Sequence, residues 1–106
     1  MYVVRRWYTT KPGEARRVAT LVNKQAEAYR AAGQRSEFRI SYNGYTLPGE
    51  QNVVCLEWTD NSLESPTRDG HTLPVEALEL GGEVRNLIES QRIEFLELFT
   101  PEKLQE

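Results

Sequence analysis

The sequence has 106 residues, of which 39% are hydrophobic and 27% are charged, a balance typical of one globular domain rather than of a disordered chain. The formal net charge of -3 disfavours nucleic-acid binding, because proteins of that class neutralise phosphates with a basic surface. No apolar run reaches the roughly 20 residues of a membrane span, and the N-terminus does not resemble a signal peptide. A lone cysteine excludes an internal disulfide. We therefore expect a cytoplasmic protein without membrane association.

The first predicted elements are a short strand and a long amphipathic helix. Residues 1–8 place large side chains on both faces of the strand, which predicts that both faces are covered. Pro12 suits the first position of the following helix, and Gly33 suits its end. Between them, apolar residues recur every three or four positions and form one helical stripe: Ala15, Val18, Ala19, Val22, Ala26 and Tyr29.

A β-hairpin is predicted next. Residues 37–45 and 53–59 both alternate in side-chain polarity, and the turn-forming stretch 47–52 separates them. One face of this hairpin carries large apolar side chains: Phe38, Ile40, Tyr42, Val54, Leu56 and Trp58. That face therefore suits packing against helices.

The remaining elements are a second helix and a last strand. Residues 67–72 have the composition of a loop, and a helical pattern begins at Pro74. Gly81 and Gly82 interrupt this pattern. Because a glycine in a helix interior costs about 1 kcal/mol relative to alanine, we expect a kink or two short helices there. The last strand is predicted over residues 92–99.

The order βαββαβ predicts an α+β, ferredoxin-like fold over a single domain, residues 1–106, with a four-stranded antiparallel sheet and both helices on one face. The second face of the sheet would then carry Leu96 and Leu98, with Val3 or Val4 and an aromatic residue of the first strand. An exposed apolar sheet face of this kind usually marks an interface, so we expect a homodimer through it.

A short motif adds a resemblance to a known family. The run RWYTTKPG, residues 6–13, resembles the R-x-Y-T-x-K-P-G opening of NIPSNAP-type domains. Those domains are grouped in the dimeric α/β-barrel superfamily with antibiotic-biosynthesis and haem-degrading monooxygenases. The resemblance implies a ferredoxin-like protomer, a face-to-face dimer that forms a barrel, and a pocket between sheet and helices.

The resemblance also implies candidate site residues. Monooxygenases of this superfamily often oxidise an electron-rich substrate in a hydrophobic pocket without metal or flavin, so no cofactor is expected. His71 and Tyr8 are then the candidate catalytic residues, and the candidate ligand-binding residues are Arg6, Tyr42 and Trp58. The more ordinary interpretation of each aromatic residue is a packing residue, and that of His71 is a solvent-exposed loop residue.

A general base would be His71, whose ordinary pKa lies near neutrality, or Glu57 or Glu97 with a raised pKa. Glu57 also fits an ion pair with Arg39 or Arg5 across neighbouring strands. The ion pair is the favoured interpretation, because carboxylates near arginines at a surface or interface are common.

The sequence gives less support for a metal site or a haem site. One histidine and one cysteine are too few for a dedicated zinc or transition-metal site, and Cys55 lies mid-strand among apolar neighbours, as expected of a buried thiol. Haem-degrading members share an Asn on the first strand, a Trp on the third and a His on the second helix. Trp58 and His71 match two of these approximately, but the first strand has no Asn, which makes haem binding a minor alternative.

Two hypotheses follow. In the first, the protein is a dimeric α/β barrel that binds a hydrophobic small molecule and acts on it as a cofactor-independent monooxygenase. In the second, it is a non-enzymatic homodimer for protein interaction or ligand sequestration. An apolar pocket with convergent polar groups between sheet and helices would favour the first.

Overall fold

The computed structural model describes residues 1–33, 37–61 and 75–105. Within those ranges the elements are β1 (Tyr2–Thr10), α1 (Ala15–Ala31), β2 (Phe38–Asn43), β3 (Val53–Asp60), α2 (Val75–Leu87) and β4 (Ile88–Glu97), followed by a 3₁₀ turn at Pro101–Lys103. The predicted loop over 67–72 and the predicted helix start at Pro74 lie outside the described residues.

The strands form one four-stranded sheet in the order β2-β3-β1-β4, with every neighbouring pair antiparallel. Both helices contribute to a core on one face of this sheet, where Val22 of α1 and Val84 of α2 share a cluster with Tyr8, Val54 and Leu56. The predicted α+β, ferredoxin-like fold is confirmed. None of the helices in the described ranges combines the length and the apolar character that a membrane crossing requires.

The strand register assigns each sheet residue to one of two faces, because successive side chains of a strand alternate. Tyr8 lies across from Val54 on one side and Gln91 on the other, and this row faces the helices. The neighbouring residue in each strand lies on the opposite face, which the helices do not cover. We call this the second face of the sheet.

The entry into α1 differs from the prediction. β1 continues to Thr10, where it pairs with Ile88, and the helix begins only at Ala15 with Glu14 at its N-cap. Pro12 therefore precedes the helix and is not its first residue. Gly13 has a φ of 80°, a left-handed conformation that glycine adopts readily, and this turn redirects the chain between strand and helix. The predicted stop at Gly33 is confirmed, since its amide donates to the Arg30 carbonyl at 3.0 Å.

The second helix is not divided into two short helices, because α2 runs as one helix through Gly81 and Gly82. A Cβ built on Gly81 would lie 3.0 Å from the side-chain amide nitrogen of Gln25 on α1, so the missing side chain allows the two helices to approach closely. The last strand was also predicted too short at its beginning. It starts at Ile88, directly after the helix.

Candidate functional site

A cavity of about 170 Å³ lies between the helices and the β1–β4 side of the sheet. Its described lining residues are Arg6, Tyr8, Gln25, Ala77, Leu78, Gly81, Val84, Arg85, Ile88 and Gln91. Leu78, Arg85 and Gln91 are exposed, so the cavity opens to solvent on their side. A concave site with apolar walls and a few polar groups is the usual form of a small-molecule site.

The sheet forms the floor of this cavity. Arg6 and Tyr8 are alternate residues of β1, so both side chains point toward the helices. Gln91 pairs with Tyr8 across β1 and β4, and its side-chain oxygen accepts a hydrogen bond from Arg6 Nη1 at 3.3 Å. Tyr8 is only 4% exposed, so it forms the deepest part of the floor.

The helices form the roof. Ala77, Gly81, Val84 and Arg85 recur every three or four residues and therefore lie on one side of α2, facing the sheet. Gln25 comes from α1, and its Nε2 donates to the Ala77 carbonyl at 3.2 Å. This hydrogen bond fixes the two helices to each other at the edge of the cavity.

The structure brings together two of the residues that the sequence singles out. Arg6 and Tyr8 lie side by side in the cavity. Tyr42 shares the cross-strand row of Tyr8, but it lies on the edge strand β2 and is 48% exposed. Trp58 packs against the core cluster at the β2–β3 end. Tyr42 and Trp58 do not line the cavity, because β2 and β3 lie on the opposite side of β1 from β4. His71, the fifth predicted site residue, lies outside the described residues.

Three polar residues of the described lining were not among the predicted site residues. Gln25 is a polar residue beside the apolar stripe of α1, and Arg85 follows Gly81 by four residues on α2, so both positions carried a readable signal. Gln91 carried none, because its position depends on the pairing of β4 with β1. That register is set by residues far apart in the sequence.

The second face of the sheet carries a row of alternating charge across all four strands. In the register, Arg5 lies between Glu94 and Glu57, and Glu57 lies next to Arg39. Arg5 is 3.1 Å from the Glu57 carboxylate and 4.0 Å from that of Glu94, and Arg39 is 2.7 Å from Glu57. Opposite charges on directly paired residues stabilise a sheet, so this charged row is a stabilising feature of the fold.

An aromatic residue is joined to the charged row. Trp7 Nε1 donates a hydrogen bond to Glu94 at 3.0 Å, and Arg92 contacts the other oxygen of Glu94 at 2.8 Å. The Arg92 guanidinium also lies 5.4 Å from the centre of the Trp7 ring, within cation–π distance. The hydrogen bond from Trp7, helped by Arg92, lowers the pKa of Glu94.

The composition of the second face corrects the prediction. Of the alternatives left open, Val3 and Trp7 lie on this face with Leu96, whereas Val4 and Tyr8 are buried under the helices. The charged row separates the apolar side chains, which the sequence pattern did not foresee. The second face therefore carries both charged and apolar side chains and is not a continuous apolar surface.

Glu57 forms the predicted cross-strand ion pairs, with Arg39 and Arg5 both in contact. Partial burial raises the pKa of this carboxyl, but the hydrogen bonds and positive charges of the two arginines outweigh that effect and leave it below the usual value. This is opposite to the raised pKa that a general base would need. Glu97, the other candidate, lies 3.0 Å from Lys103 at the end of the sheet.

Replacing Glu57 by Gln is expected to lower the free energy of unfolding by about 1 kcal/mol at pH 7, because Arg5 and Arg39 lose their shared carboxylate. The folded-state pKa of Glu57 is depressed. Its contribution is therefore present above the unfolded pKa of about 4.3 and is lost as the pH falls through the folded value. Urea unfolding at pH 7 and under acidic conditions measures this difference.

Glu37→Gln is the matched control, since its side chain is 95% exposed and lies 3.7 Å from Arg30. It is expected to change the stability by less than about 0.5 kcal/mol. A loss in Glu57→Gln that stays the same under acidic conditions would contradict the ionic role of Glu57.

Cys55 is confirmed as a buried thiol, with 7% of the residue exposed. Burial raises the pKa of this thiol, and the nearby charge of Glu57 acts in the same direction. A raised pKa keeps a cysteine in its weakly reactive thiol form. Among the described residues, no three His, Cys, Asp or Glu side chains are grouped so that they could hold a metal ion.

Strand order, element order and a helical layer on one face define a ferredoxin-like α+β fold. Solved structures of the same fold include an uncharacterised NIPSNAP domain protein from Burkholderia xenovorans, with a TM-score of 0.67 and 14% identity over 95% of this chain and 97% of that one. An antibiotic biosynthesis monooxygenase gives a TM-score of 0.61 and 13% identity over 94% and 100% of the two chains.

A dimeric protein of unknown function from Bacteroides fragilis, described as having a ferredoxin-like fold, gives a TM-score of 0.60 and 17% identity over 92% of this chain and 96% of its own. No family model matches the sequence, and no curated protein matches it. Identities this low show the fold alone. They agree with the ferredoxin-like fold that the resemblance of the RWYTTKPG run implied.

Proposed function

We propose that this chain binds a hydrophobic small molecule in the cavity between α2 and the β1–β4 side of the sheet. The observation that carries the proposal is the placement of Arg6 and Tyr8 on the floor of one cavity, beneath the apolar side chains of α2. Its apolar residues, among them Val84 and Ile88, supply affinity through burial, and its polar residues, which make up half of the described lining, orient the ligand.

The size of the cavity indicates how much of a ligand it can hold. A cavity of about 150 Å³ in a protein core is large enough for benzene. The volume here is about 170 Å³, so one aromatic ring fits inside and any larger part of the ligand extends through the open side. Ala77, Val84 and Ile88 provide the apolar contacts for that ring.

The chemistry proposed for this site is cofactor-independent monooxygenation, and one of the structural neighbours is named an antibiotic biosynthesis monooxygenase. An activated methylene group would react with O₂ so that one oxygen atom becomes a carbonyl and the other leaves as water. The substrate supplies all four electrons, so no external reductant is needed. Arg6 supports this proposal, since its positive charge favours a deprotonated, electron-rich substrate.

A non-enzymatic binding protein is the second candidate, and the described lining favours it in one respect. The described lining contains no histidine, aspartate or glutamate, the side chains that most often act as general bases. Proton abstraction therefore has no evident acceptor among the described cavity residues. The sequence-based candidate for that role, His71, remains a proposal.

The protein is further proposed to act as a homodimer in the cytoplasm. One neighbour of the same fold is described as dimeric. Val3, Trp7 and Leu96 give the second face of the sheet the apolar contacts that a partner would cover. The cytoplasmic location is inferred from the single cysteine.

Native mass spectrometry of the purified protein tests binding and assembly together. A retained organic molecule would identify the ligand class directly, and a dimer mass would support the homodimer. Oxygen consumption with a small aromatic ketone that carries an activated methylene group then separates the two candidates, because a binding protein leaves the background rate of autoxidation unchanged.

Tyr8→Phe is expected to weaken retention of the small molecule about tenfold, because it removes a hydroxyl from the floor of the cavity. Tyr45→Phe is the matched control, since Tyr45 is 72% exposed and lies outside the cavity. Titration with the retained molecule, followed by native mass spectrometry, measures both variants. Equal affinities in the two variants would contradict the proposed site.

A further inference from the structure

We propose that the ligand of this cavity is a small aromatic anion, bound through its carboxylate or phenolate oxygen by Arg6. The inference rests on the proposed function, because it concerns the charge of the molecule that the cavity binds. It follows from a difference between Arg6 and every other arginine of the sheet.

The four arginines of the described strands differ in their partners. Arg5, Arg39 and Arg92 each lie within 3.1 Å of a carboxylate oxygen on the second face. Arg6 lies on the helix side, and its hydrogen bond at 3.3 Å goes to the neutral side-chain oxygen of Gln91. In the described part of the chain, no carboxylate lies within ion-pair distance of Arg6.

A second cation increases this imbalance. Arg85 lines the open side of the same cavity, and the described ranges contain no hydrogen bond or ion pair to its side chain. The described lining therefore includes two positive charges and no acidic residue. The protein as a whole has a net charge of -3, so this local excess of positive charge is not a property of the average surface.

The position of Arg6 makes it significant that no carboxylate of the described residues pairs with it. Its side chain is half-buried between the sheet and the apolar residues of α2, where a cation loses part of its hydration. An oxyanion in the cavity would replace that hydration with a charge-assisted hydrogen bond, which is roughly twice as strong as a neutral one. The ring of such a ligand would lie against Val84 and Ile88.

Two probes of the same size test the charge of the ligand. Benzoate carries one negative charge at pH 7, and benzyl alcohol has a similar ring without charge. Each is titrated into ¹⁵N-labelled protein, and the amide signals of Ala77 and Val84 report binding in the cavity. Benzoate is expected to bind at least about tenfold more tightly than benzyl alcohol, with an affinity that falls as salt is added. A parallel titration with 4-nitrophenolate at alkaline pH distinguishes a phenolate from a carboxylate ligand.

Three variants assign the preference to Arg6. Arg6→Gln is expected to remove the preference for benzoate, and Arg6→Lys, which keeps the charge, to restore part of it. Arg16→Gln, at an exposed position of α1 outside the cavity, is expected to keep the full preference. Loss of the preference in both glutamine variants would overturn the assignment to Arg6.

The remaining outcomes separate this inference from the proposed function. If benzyl alcohol and the anions bind the cavity equally well, the cavity binds small molecules and the inferred charge is wrong. If none of the probes shifts the signals of Ala77 or Val84, the proposed function fails and the inference fails with it. Shifts confined to the arginines of the second face would overturn the inference as well.

Discussion

A variant with Val22 replaced by Asp is expected to be largely unfolded at neutral pH, whereas Asn23→Asp is expected to fold like the original protein. Val22 is 0% exposed and belongs to the cluster that α1 forms with β1 and β3. The next residue of the helix, Asn23, is exposed. The same side chain is therefore introduced one position apart, into the core in one variant and into solvent in the other.

The expected loss has two parts. Removing the buried side chain of Val22 costs about 1.5–3 kcal/mol of transfer free energy. An unpaired carboxylate in the same place costs several kcal/mol more. Because small domains have a total stability of about 5–15 kcal/mol, the sum is comparable with the whole free energy of unfolding.

If the Asp variant does not fold, its free energy of unfolding cannot be measured, and Val22→Ala is then used to test the same contact. It is expected to lower the free energy of unfolding by about 2 kcal/mol, because the helix–sheet core cannot fully collapse around the missing methyl groups. Urea titration followed by circular dichroism measures all three variants. An Asp variant at Val22 as stable as the one at Asn23 would show that this side of α1 does not face the sheet.

These variants concern a part of the fold that the sequence predicts well. The stripe on α1 and the apolar face of the hairpin both follow from local periodicity, and their residues are buried in the core or pack against it, except Tyr42, which is exposed on the edge strand. The register of the hairpin then places Trp58 across from Phe38, and Leu56 across from Ile40. Local patterns therefore suffice wherever an element has one buried side.

Features that depend on distant pairing were not predictable in the same way. The extension of β1 to Thr10 and the early start of β4 are two sides of one contact, the pairing of Thr10 with Ile88. The close approach of Gln25 to Gly81 similarly joins two helices that are far apart in the sequence. Neither contact leaves a signal in the residues next to it in the sequence.

The candidate site shows the same limit. Arg5 and Arg6 are adjacent, of the same type, and indistinguishable by composition. Alternation along β1 sends Arg5 to the second face, where two carboxylates lie within 4.0 Å, and Arg6 into the cavity beside Gln91. Both arginines could be identified in the sequence. The difference between Arg5, which pairs with carboxylates, and Arg6, which has no carboxylate partner among the described residues, required the register of β4.

Replacing Leu96 by Arg is expected to convert the proposed homodimer into a monomer. Leu96 is 45% exposed on the second face and pairs with Val3 in the sheet, so it belongs to the apolar part of the surface that a second copy would cover. In a two-fold dimer each substitution occurs twice. It removes apolar contact and introduces a buried cation in both protomers, so the dissociation constant should rise about a hundredfold or more.

The charged row on the same face indicates why two copies can meet there. Its order is Glu94, Arg5, Glu57 and Arg39, with alternating sign. A two-fold axis parallel to the strands reverses this order in the second copy, so that negative positions face positive ones. A two-fold axis across the strands would instead place like charges opposite each other, which is unfavourable. The row therefore favours one orientation of the dimer and avoids the cost of burying unpaired charges.

Sedimentation velocity at micromolar concentration measures the change in assembly. Leu104→Arg is the matched control, because Leu104 is 63% exposed but lies beyond β4 in the C-terminal segment. It is expected to keep the dimer, while Leu96→Arg sediments as a monomer with an unchanged far-ultraviolet circular dichroism spectrum. A dimer in both variants would show that the second face is not the interface. A monomer before any substitution would mean that the mixed surface of Val3, Trp7 and the charged row is stable in water, and the homodimer proposal would then be wrong.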